Sequence, residues 1–429
     1  MASAPNDADV IVVGAGAAGI IAAWRAACLG ARVVLLEKTG RIGTKILISG
    51  GGKCNITHAG TIAEVLKGFR PNEARFLRSA CYRFRNDQIV EMLTDRGLQV
   101  ITRADGRIFP VDQTAKDVVR ILSSYLEEAE VDIRMNCAVS GLDVSDGRAI
   151  GVKFEASGQG ESTLRAPAII VCVGGTSYPG TGTTGDGWGW ARALGHSVVK
   201  VTAALAPMYL DFDAGLTAEM SGIALRDCLV RARQEGKELA RWRGDLLFTH
   251  HGVSGPAALG ISRDVAERMR VGSVTLDVDL APDGSFEAVA AETLAYTTQH
   301  PKRLVATFVD GFVPGRLVDS LLDAASVPQD QPCARLDKKS RNRLVAVLKG
   351  WALGNVRAVP LEKGEVTAGG VSLDEVDSQT MESALVGGLY FCGEVLDIAG
   401  AVGGYNLQAA FATGFVAGEC AANTTFKKS

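Results

Sequence analysis

Three glycines in the pattern Gly14-x-Gly16-x-x-Gly19, followed 23 positions after Gly14 by the carboxylate Glu37, have the spacing of a dinucleotide-binding turn. The first glycine permits a tight turn, the second lets the backbone approach a pyrophosphate, and the third permits close packing of helix on strand. A helix that begins at such a turn offers free N–H groups and a positive dipole end to phosphates. Glu37 can accept hydrogen bonds from both ribose hydroxyls and would repel a 2′-phosphate. The pattern predicts a dinucleotide site.

The segments around this turn have the pattern of a parallel α/β fold. Residues 10–13 are uniformly apolar, as in a strand covered on both faces, and a helix and a second strand ending at Glu37 follow. Two later apolar runs, at 168–173 and 388–392, also end near glycines, and a last helix is predicted over 406–418. The sequence therefore predicts a Rossmann-type domain built from both ends of the chain.

The predicted fold class is α/β: a discontinuous Rossmann-type dinucleotide-binding domain with an inserted mostly-β domain and a small helical domain. Asp146-Gly147 between two strand-like segments predicts a hairpin in the first part. Short strands divided by polar turns are predicted after residue 198, and leucines at helical spacing follow them. The expected boundaries are 1–198 and 364–429 for the Rossmann domain, 199–282 for the mostly-β domain, 283–348 for the helical insertion and 349–363 for a return through the mostly-β domain.

Composition and charge argue against several other classes of protein. The net charge of −3 arises from 45 basic and 48 acidic residues mixed along the chain, which makes nucleic acid an unexpected partner. The first apolar run is interrupted by glycines and has no basic leader, so neither a signal peptide nor a membrane span is expected, and the expected compartment is the cytoplasm. Nine scattered cysteines without a C-x-x-C pair argue against disulfides and a metal site. A small-molecule substrate is expected, and the oligomeric state is left open.

A second glycine-rich block, at 40–55, is the most distinctive stretch of the sequence, and further blocks follow in order at 182–187, 247–256, 366–371, 393–397 and 403–408. In these blocks the chain resembles the bacterial FAD-dependent flavoproteins grouped as BaiN-like or aminoacetone-oxidase-like, a family of NAD(P)/FAD-dependent oxidoreductases. The blocks span nearly the whole chain, so the resemblance identifies the family, but it does not identify the substrate. The chain departs from the family pattern at Ala399-Gly400-Ala401-Val402, where a Pro-Thr pair often precedes the double glycine.

The resemblance implies an FAD site assembled from both ends of the chain. It implies that Glu37 holds the ribose, and that Lys45 and the loop at 50–55 line the pyrophosphate and the flavin. Val139 would meet the adenine through its backbone, and Glu394 would bond a ribityl or ribose hydroxyl. The complete set of predicted cofactor-binding residues is Gly14, Ala15, Gly16, Ala18, Gly19, Glu37, Lys38, Lys45, Gly51, Gly52, Asn55, Val139, Gly174, Gly175, Gly393, Glu394, Gly404, Asn406 and Leu407.

Asn406 and Leu407 would present backbone N–H groups to the pyrimidine edge of the flavin, again by resemblance. Physical chemistry favours the same assignment, because flavin reduction places negative charge near N1 and the C2 carbonyl. The positive end of a helix that starts at Asn406 is a fixed dipole that stabilises such charge. A simple loop before a helix is the alternative for Gly403-Gly404.

His250 and Tyr405 are the candidate catalytic residues, because each can donate a proton during a reduction. For His250 and its neighbour His251, a histidine bonded to backbone at a domain junction is an alternative of at least equal weight. Stacking alone is the alternative for Tyr405. Cys54 is either a redox thiol or a packing residue, with packing favoured. Asp186 resembles an acidic position of fumarate-reductase-type flavoproteins, where an N-cap role is sufficient.

The expected activity is hydride transfer by FAD between NADH or NADPH, as a transient donor, and an unsaturated or amine-type small molecule. Oxidation of a substrate with oxygen as acceptor stays open. The glycines at 174–182 have the wrong spacing for a second dinucleotide fingerprint, so the nicotinamide is expected to enter the substrate cleft, at a domain interface. Two other classes are compatible: a flavin-containing redox sensor without turnover, and a tRNA-modifying flavoprotein, which would need a basic surface.

Overall fold

The computed structural model describes residues 6–156, 158, 160–211 and 220–426. The chain forms two compact units, of which the first is Met1–Val201 with Glu365–Ser429 and the second is Thr202–Gly364. The first unit therefore contains segments from both ends of the sequence, and the second unit is inserted between them.

Strands and helices alternate along both parts of the first unit, and strands dominate the start of the second. The strands are β1 (Val10–Val13), β2 (Val33–Leu36), β3 (Thr57–His58), β4 (Val100–Thr102), β5 (Arg107–Pro110), β6 (Asp132–Arg134), β7 (Cys137–Ser145), β8 (Arg148–Ala156), β9 (Glu161–Arg165), β10 (Ala168–Val171), β11 (Val198–Ala204), β12 (Met208–Leu210), β13 (Ala224–Gln234), β14 (Lys237–Thr249), β15 (Gly252–Ser254), β16 (Thr275–Asp279), β17 (Trp351–Ala358), β18 (Val366–Val371) and β19 (Leu389–Phe391). The helices are α1 (Ala17–Cys28), α2 (Thr44–Ile48), α3 (Ile62–Val65), α4 (Pro71–Arg83), α5 (Asn86–Thr94), α6 (Ala115–Glu128), α7 (Asp186–Ala193), α8 (Pro256–Arg268), α9 (Phe286–Gln299), α10 (Val305–Val309), α11 (Val318–Ala324), α12 (Lys338–Leu348) and α13 (Tyr405–Phe426).

A five-stranded parallel sheet forms the centre of the first unit, in the order β19-β10-β1-β2-β6. Strands β1, β2 and β10 have the sequences VIVV, VVLL and AIIV and are buried at every position. A parallel sheet that is covered on both faces requires such continuous apolar runs. Strand β19, from the far end of the chain, lies beside β10. The predicted fold class is confirmed.

Helices α1 and α13 pack directly against each other. An added Cβ at Gly414 or Gly418 of α13 would overlap the carbonyl oxygen of Ala18 or Ala22 of α1, respectively. Both contacts advance by four residues in the same sense, so the two helices run in the same direction. The glycines let the two backbones approach more closely than side chains would permit.

Strands β11 and β18 pair in a two-stranded sheet, and the first unit also contains two smaller antiparallel sheets. One has the order β3-β5-β4 and the other β7-β8-β9. Strands β7 and β8 pair across Asp146-Gly147, so the predicted hairpin is confirmed. Within the described ranges, no helix is both long and apolar enough to cross a membrane.

The second unit contains a closed barrel with the strand order β12-β15-β14-β13-β16-β17. Strands β13 and β14 form a long antiparallel hairpin, unlike the short strands that the polar turns predicted. Helices α9 to α12 lie between β16 and β17 in sequence, and β17 returns to close the barrel. The predicted domain boundaries inside and around this unit stay a prediction.

Candidate FAD site

The three glycines of the turn after β1 have different structural roles. Gly14 has a φ of +100°, which L side chains rarely adopt, and its N–H donates to the carbonyl of Leu36 at 2.8 Å. At Gly19 an added Cβ would overlap the Gly14 carbonyl oxygen, so close packing requires this glycine. Gly16 faces open space, since no described atom lies within 4 Å of an added Cβ. The turn therefore leaves one side free for a ligand.

The N-terminus of α1 lies at this open side. Gly16 is its N-cap, and among the described residues no side chain caps the helix. The first N–H groups of α1 thus remain for an anionic ligand. Ala18, on the first turn, packs against Gly393, where an added Cβ would lie 2.9 Å from the Ala18 Cβ. That contact brings the loop after β19 next to the glycine turn at residues 14–19, called the phosphate turn below.

Glu37, at the end of β2, accepts hydrogen bonds from two backbone N–H groups. Ala15 donates to Oε2 and Thr39 donates to Oε1, each at 2.8 Å. These bonds orient the carboxylate beside the turn, and each oxygen keeps a lone pair for a ribose hydroxyl. The Cys137 N–H donates to the Glu37 carbonyl at 2.9 Å, which places Val139, two residues later in β7, near the same strand end.

Lys38 is bound to the loop that precedes α7. Its Nζ lies 2.6 Å from Oδ2 of Asp186 and 2.5 Å from Oγ1 of Thr184. Asp186 is the first residue of α7, whose N-cap is Gly185 with a φ of +79°. The predicted N-cap role of Asp186 is therefore wrong, because its carboxylate pairs with Lys38 instead.

The loop after α2 is shaped by three consecutive left-handed residues. Gly50, Gly51 and Gly52 have φ values of +56°, +68° and +85°, a run that residues with side chains adopt only under strain. An added Cβ at Gly51 would have no described atom within 4 Å, and one at Gly52 would have only the Leu47 carbonyl oxygen, at 3.9 Å. The loop thus offers bare backbone to a ligand.

Asn55 joins this loop to the start of α13. With its amide oxygen turned toward Gly404, it accepts the Gly404 N–H at 2.9 Å and donates to the Thr57 carbonyl at 3.2 Å. Thr57 Oγ1 donates to Gln408 Oε1 at 2.8 Å, and both side chains are fully buried. Thr57 and Gln408, 351 positions apart, therefore meet at the N-terminus of α13.

Lys45 and Glu394 form an ion pair at the centre of the site. Lys45 Nζ lies 2.5 Å from Glu394 Oε2 and 2.6 Å from Ser177 Oγ. The two charged side chains are only 24% and 18% exposed. Oε1 of Glu394 accepts from Ser177 Oγ at 3.0 Å and from the Thr367 N–H at 2.8 Å. Two residues that were predicted as separate cofactor contacts thus also contact each other.

Ser177 and Thr367 are site residues that sequence reasoning did not single out. Thr367 Oγ1 accepts the N–H groups of Thr176 and Ser177 at 3.0 and 3.1 Å. At Gly175 an added Cβ would lie 2.5 Å from Thr367 Oγ1, and the neighbouring Gly174 has a φ of +76°. The only sequence signal was that Thr367 stands in one of the blocks that carried the family resemblance, with Ser177 just before another.

Helix α13 begins after a glycine pair. The Gln408 N–H donates to the Gly404 carbonyl at 3.1 Å, which is the first bond of the helix. The N–H groups of the three residues before Gln408, including Asn406 and Leu407, therefore have no partner within the helix. The Asn406 amide accepts from the Gly400 N–H at 2.8 Å and donates to the Gly400 carbonyl at 3.0 Å, which holds the preceding loop in place.

The two helix ends lie on parallel helices at different heights. Ala18 of α1 lies opposite Gly414 of α13. Helix α1 begins one residue before Ala18, and α13 begins nine residues before Gly414. At 1.5 Å per residue, the start of α13 lies about 12 Å beyond the start of α1 along the helix axis. This separation suits a molecule with its pyrophosphate at one helix end and its flavin ring at the other.

Tyr405, a candidate proton donor, is held by ring contacts. Its ring stacks on His58, with the centroids 4.7 Å apart and the planes 15° apart, and Phe69 meets it edge-on at 6.0 Å. Burial raises the pKa of Tyr405, and the negative charge of Asp105 adds to the effect. Tyr405 therefore does stack on a neighbouring ring, as the alternative interpretation predicted. Its catalytic role stays a prediction. His58 was missed because its partner is remote in sequence.

His250 and His251 belong to the second unit, in the turn between β14 and β15. Both side chains are exposed within the described chain. The His251 ring lies 5.3 Å from the ring of Tyr209, and its carbonyl accepts the Leu210 N–H at 2.9 Å. The catalytic role of His250 stays a prediction.

Cys54 is fully buried in the glycine-rich loop and has a φ of +61°. Burial raises the pKa of its thiol to about 12, so the thiol is protonated at neutral pH. The packing interpretation is therefore favoured by the structure, and the thiolate alternative is wrong because the loop removes the sulfur from water. In the part of the chain that is described, no group of three His, Cys, Asp or Glu side chains could hold a metal ion.

The groups assembled in the first unit fit FAD. Bare backbone at the phosphate turn and at Gly51 suits a pyrophosphate, and the Glu37 carboxylate suits a ribose. The ammonium group of Lys45 and the free N–H groups at the start of α13 suit the electron-rich parts of a flavin. These groups come from segments at both ends of the chain, so only the folded unit brings them together.

Comparison with known proteins identifies the family. The family model described as HI0933-like protein Rossmann domain matches residues 8–420. The chain is 31% identical over 407 residues to a ribosomal RNA dihydrouridine synthase of Haemophilus influenzae, which covers 94% of this chain and 96% of that protein. It is 32% identical over 414 residues to a 3-dehydro-bile acid delta(4,6)-reductase of Clostridium scindens, which covers 96% of this chain and 98% of that protein.

A solved structure with a similar fold is the 3-ketosteroid delta1-dehydrogenase of Sterolibacterium denitrificans. The TM-score is 0.55 at 16% identity, with 98% of this chain and 100% of that chain covered. At this identity the likeness shows the fold alone. The family match, by contrast, covers almost the whole chain. The chain therefore belongs to the HI0933-like family of Rossmann-fold FAD-dependent oxidoreductases.

Proposed function

We propose that the protein reduces a carbon–carbon double bond conjugated to a carbonyl group in a small molecule, with NADH or NADPH as the hydride donor. The names of the two relatives, a dihydrouridine synthase and a delta(4,6)-reductase of a 3-dehydro-bile acid, both denote saturation of such a bond. The observation that carries the proposal is the free N-terminus of α13, about 12 Å beyond that of α1. We place the reaction in the cytoplasm, where reduced nicotinamide is available.

When bound, FAD supplies the hydride chemistry. The residues of the site bind and orient it: Glu37 holds the ribose, and the Lys45–Glu394 pair holds the ribityl side. The N–H groups of Asn406 and Leu407, with the helix dipole behind them, face the pyrimidine edge and favour the charge that reduction produces.

The reduction also needs a proton at the carbon beside the carbonyl, and Tyr405 is our candidate donor. Its raised pKa keeps the phenol protonated throughout the neutral range. The ring contacts with His58 and Phe69 hold the Tyr405 side chain in place. Tyr405→Phe should lower substrate turnover while leaving flavin reduction by the nicotinamide unchanged. If His250→Asn produces that pattern instead, His250 is the donor.

Anaerobic mixing tests the proposed reaction. NADH or NADPH should bleach the flavin absorption band, and a conjugated enone added afterwards should restore it. A flavin that the nicotinamide reduces but only oxygen reoxidises would contradict the proposal and favour a redox sensor. A flavin that an amine reduces in place of nicotinamide would favour an oxidase.

A second candidate substrate, uridine within RNA, is favoured by the segregation of charge in the first unit. Residues 38–107 contain 13 basic and 6 acidic residues, a net charge of +7 in a chain whose total is −3. Arg75, Arg78 and Tyr82 lie on one exposed face of α4 at positions i, i+3 and i+7. In the described part of the chain neither arginine forms an ion pair. Such a face suits RNA phosphates and a stacked base, although the overall composition argued against nucleic acid.

A charge-reversal experiment separates the two substrates. The double variant Arg75→Glu/Arg78→Glu should weaken RNA binding and reduce its logarithmic salt dependence by about 2, one unit for each lost phosphate contact. Reduction of a small enone should be unchanged. Arg192→Glu/Lys200→Glu is the matched control, since both side chains are exposed. Equal loss of binding in both variants, or none in either, would exclude α4 as an RNA surface.

A further inference from the structure

We propose that His58 is a fixed cation beside the N-terminus of α13, and that together with the helix end it stabilises the negative charge that reduction places on the flavin. His58 is an electrostatic positioning residue in this assignment and does not touch the substrate. The inference rests on the proposed placement of the flavin pyrimidine edge at Asn406 and Leu407.

The protonation of His58 follows from its hydrogen-bond partners. Nδ1 lies 2.8 Å from the carbonyl oxygen of Ala59, and Nε2 lies 3.0 Å from the carbonyl oxygen of Asp105. Carbonyl oxygens only accept, so both contacts are hydrogen bonds only if both ring nitrogens carry a proton. A neutral imidazole would leave one nitrogen lone pair facing a carbonyl lone pair. The two bonds therefore select the imidazolium form.

The ring has no freedom to turn away from these partners. It stacks on Tyr405 at 4.7 Å, an arrangement that also favours a cation over the aromatic face. The two rings lie in a slot lined by glycines, at each of which an added Cβ would come within 3.0 Å of one of the two side chains: Gly68, Gly106, Gly400 and Gly403. The slot is therefore built to hold this stacked pair in one orientation.

The charges around His58 also bear on its protonation. The Glu64 carboxylate interacts electrostatically with His58, and Arg107 lies opposite His58 in the β3–β5 pair. Asp105 contacts the ring through its backbone carbonyl. Hydrogen bonds from Thr61 lower the pKa of Glu64, with a smaller contribution of the same sign from His58, and a hydrogen bond from Arg107 lowers the pKa of Asp105. The Glu64 carboxylate is thus ionised near the imidazole. Its charge acts against that of Arg107 and of the positive end of α13, both of which disfavour an imidazolium at this position.

The position of His58 connects this charge to the flavin. Tyr405 is the first residue of α13, and Asn406 and Leu407 follow in the same turn. An imidazolium on Tyr405 therefore lies within about 10 Å of any group bound at those N–H groups. At that distance, and at the effective dielectric of a protein, a unit charge changes an equilibrium between charged and neutral forms by about tenfold.

Two measurements on the FAD-loaded protein test the inference. Nitrogen-15 NMR of the five histidines, with His58 assigned from its loss in His58→Asn, should show both His58 ring nitrogens protonated at pH 7. A neutral tautomer would overturn the inference. This measurement requires no substitution in the observed protein, so it decides the question even if the variant binds FAD poorly.

Titration of the bound flavin against a reference dye is the second measurement. At pH 6, His58→Asn should lower the ratio of reduced to oxidised flavin about tenfold at a fixed dye potential. His300→Asn is the matched control, because His300 also packs on a tyrosine, at 4.6 Å, in the second unit.

A ratio within twofold of wild type for His58→Asn at pH 6 would overturn the inference. If that variant does not retain FAD, His58→Gln keeps a donor for one carbonyl and is titrated in its place. Neither measurement uses a substrate. A failed enone reaction would therefore not contradict the proposed charge of His58, and a neutral His58 would not contradict the enone reaction.

Discussion

Removal of either charge of the Lys45–Glu394 pair should destabilise the FAD-free protein by about 2 kcal/mol. Loss of one partner from a fully buried pair costs about 3–5 kcal/mol, because the remaining charge is left without compensation. Lys45 and Glu394 retain 24% and 18% exposure, so water partly replaces the missing partner and the cost is lower. A value of about 2 kcal/mol corresponds to a roughly 30-fold change in the folding equilibrium.

The assay is urea unfolding of Lys45→Met, Glu394→Gln and the double variant. Amide hydrogen exchange in β1 and β10 is the probe, because both strands belong to the first unit and so report the unfolding of that unit alone. The double variant should cost about 1 kcal/mol less than the sum of the single variants, because the second substitution removes a charge that is already unpaired. Lys53→Met is the control, since Lys53 is exposed in the neighbouring loop and should change stability by less than about 0.5 kcal/mol. Additive costs within about 0.3 kcal/mol would refute the coupling.

Three further predictions follow from the described contacts. Gly19→Ala should destabilise the apoprotein by about 3 kcal/mol because its Cβ overlaps a carbonyl oxygen. Gly16→Ala, at the N-cap of α1, should cost at most about 1 kcal/mol of stability and should mainly weaken FAD binding in a fluorescence titration. Burial lowers the pKa of His196 below its ordinary value of 6.5, so His196 adds stability above pH 6.5 that is lost as the pH falls through its folded value. His196→Asn should therefore flatten the loss of unfolding free energy below pH 6.5, and an unchanged slope would contradict this reasoning. A thiol reagent should label exposed Cys28 in the folded protein and Cys54 only after unfolding, and equal labelling rates would show that the loop does not bury Cys54.

The features that the sequence predicted well are those whose physical cause lies within one stretch of chain. The tasks of Gly14 and Gly19 depend on a positive φ and on a close approach between neighbours, so their spacing was sufficient. Continuous apolar runs likewise predicted the strands of the parallel sheet. No spacing rule relates Lys45 to Glu394, 349 positions apart, and their ion pair became visible only in the fold.

The barrel of the second unit was harder to predict because its strands carry charge. Arg231 and Arg233 of β13 both pair with Asp277 of β16, which is largely buried. When the partner carboxylate is distant in sequence, a strand that alternates arginine with apolar residues is predicted to be a short, polar segment. The pairing offsets part of the desolvation cost of placing these charges in a barrel wall.

The position of β19 and α13 at the far end of the sequence has a consequence for biosynthesis. While a ribosome is still translating the second unit, β10 exposes a strand edge that β19 will later cover, and Lys45 has not yet met Glu394. If the start of α13 holds the flavin as proposed, we expect tight FAD binding only after this helix has been synthesised. A nascent chain that stalls before β19 is made therefore leaves the β10 edge unpaired, and an unpaired strand edge favours aggregation.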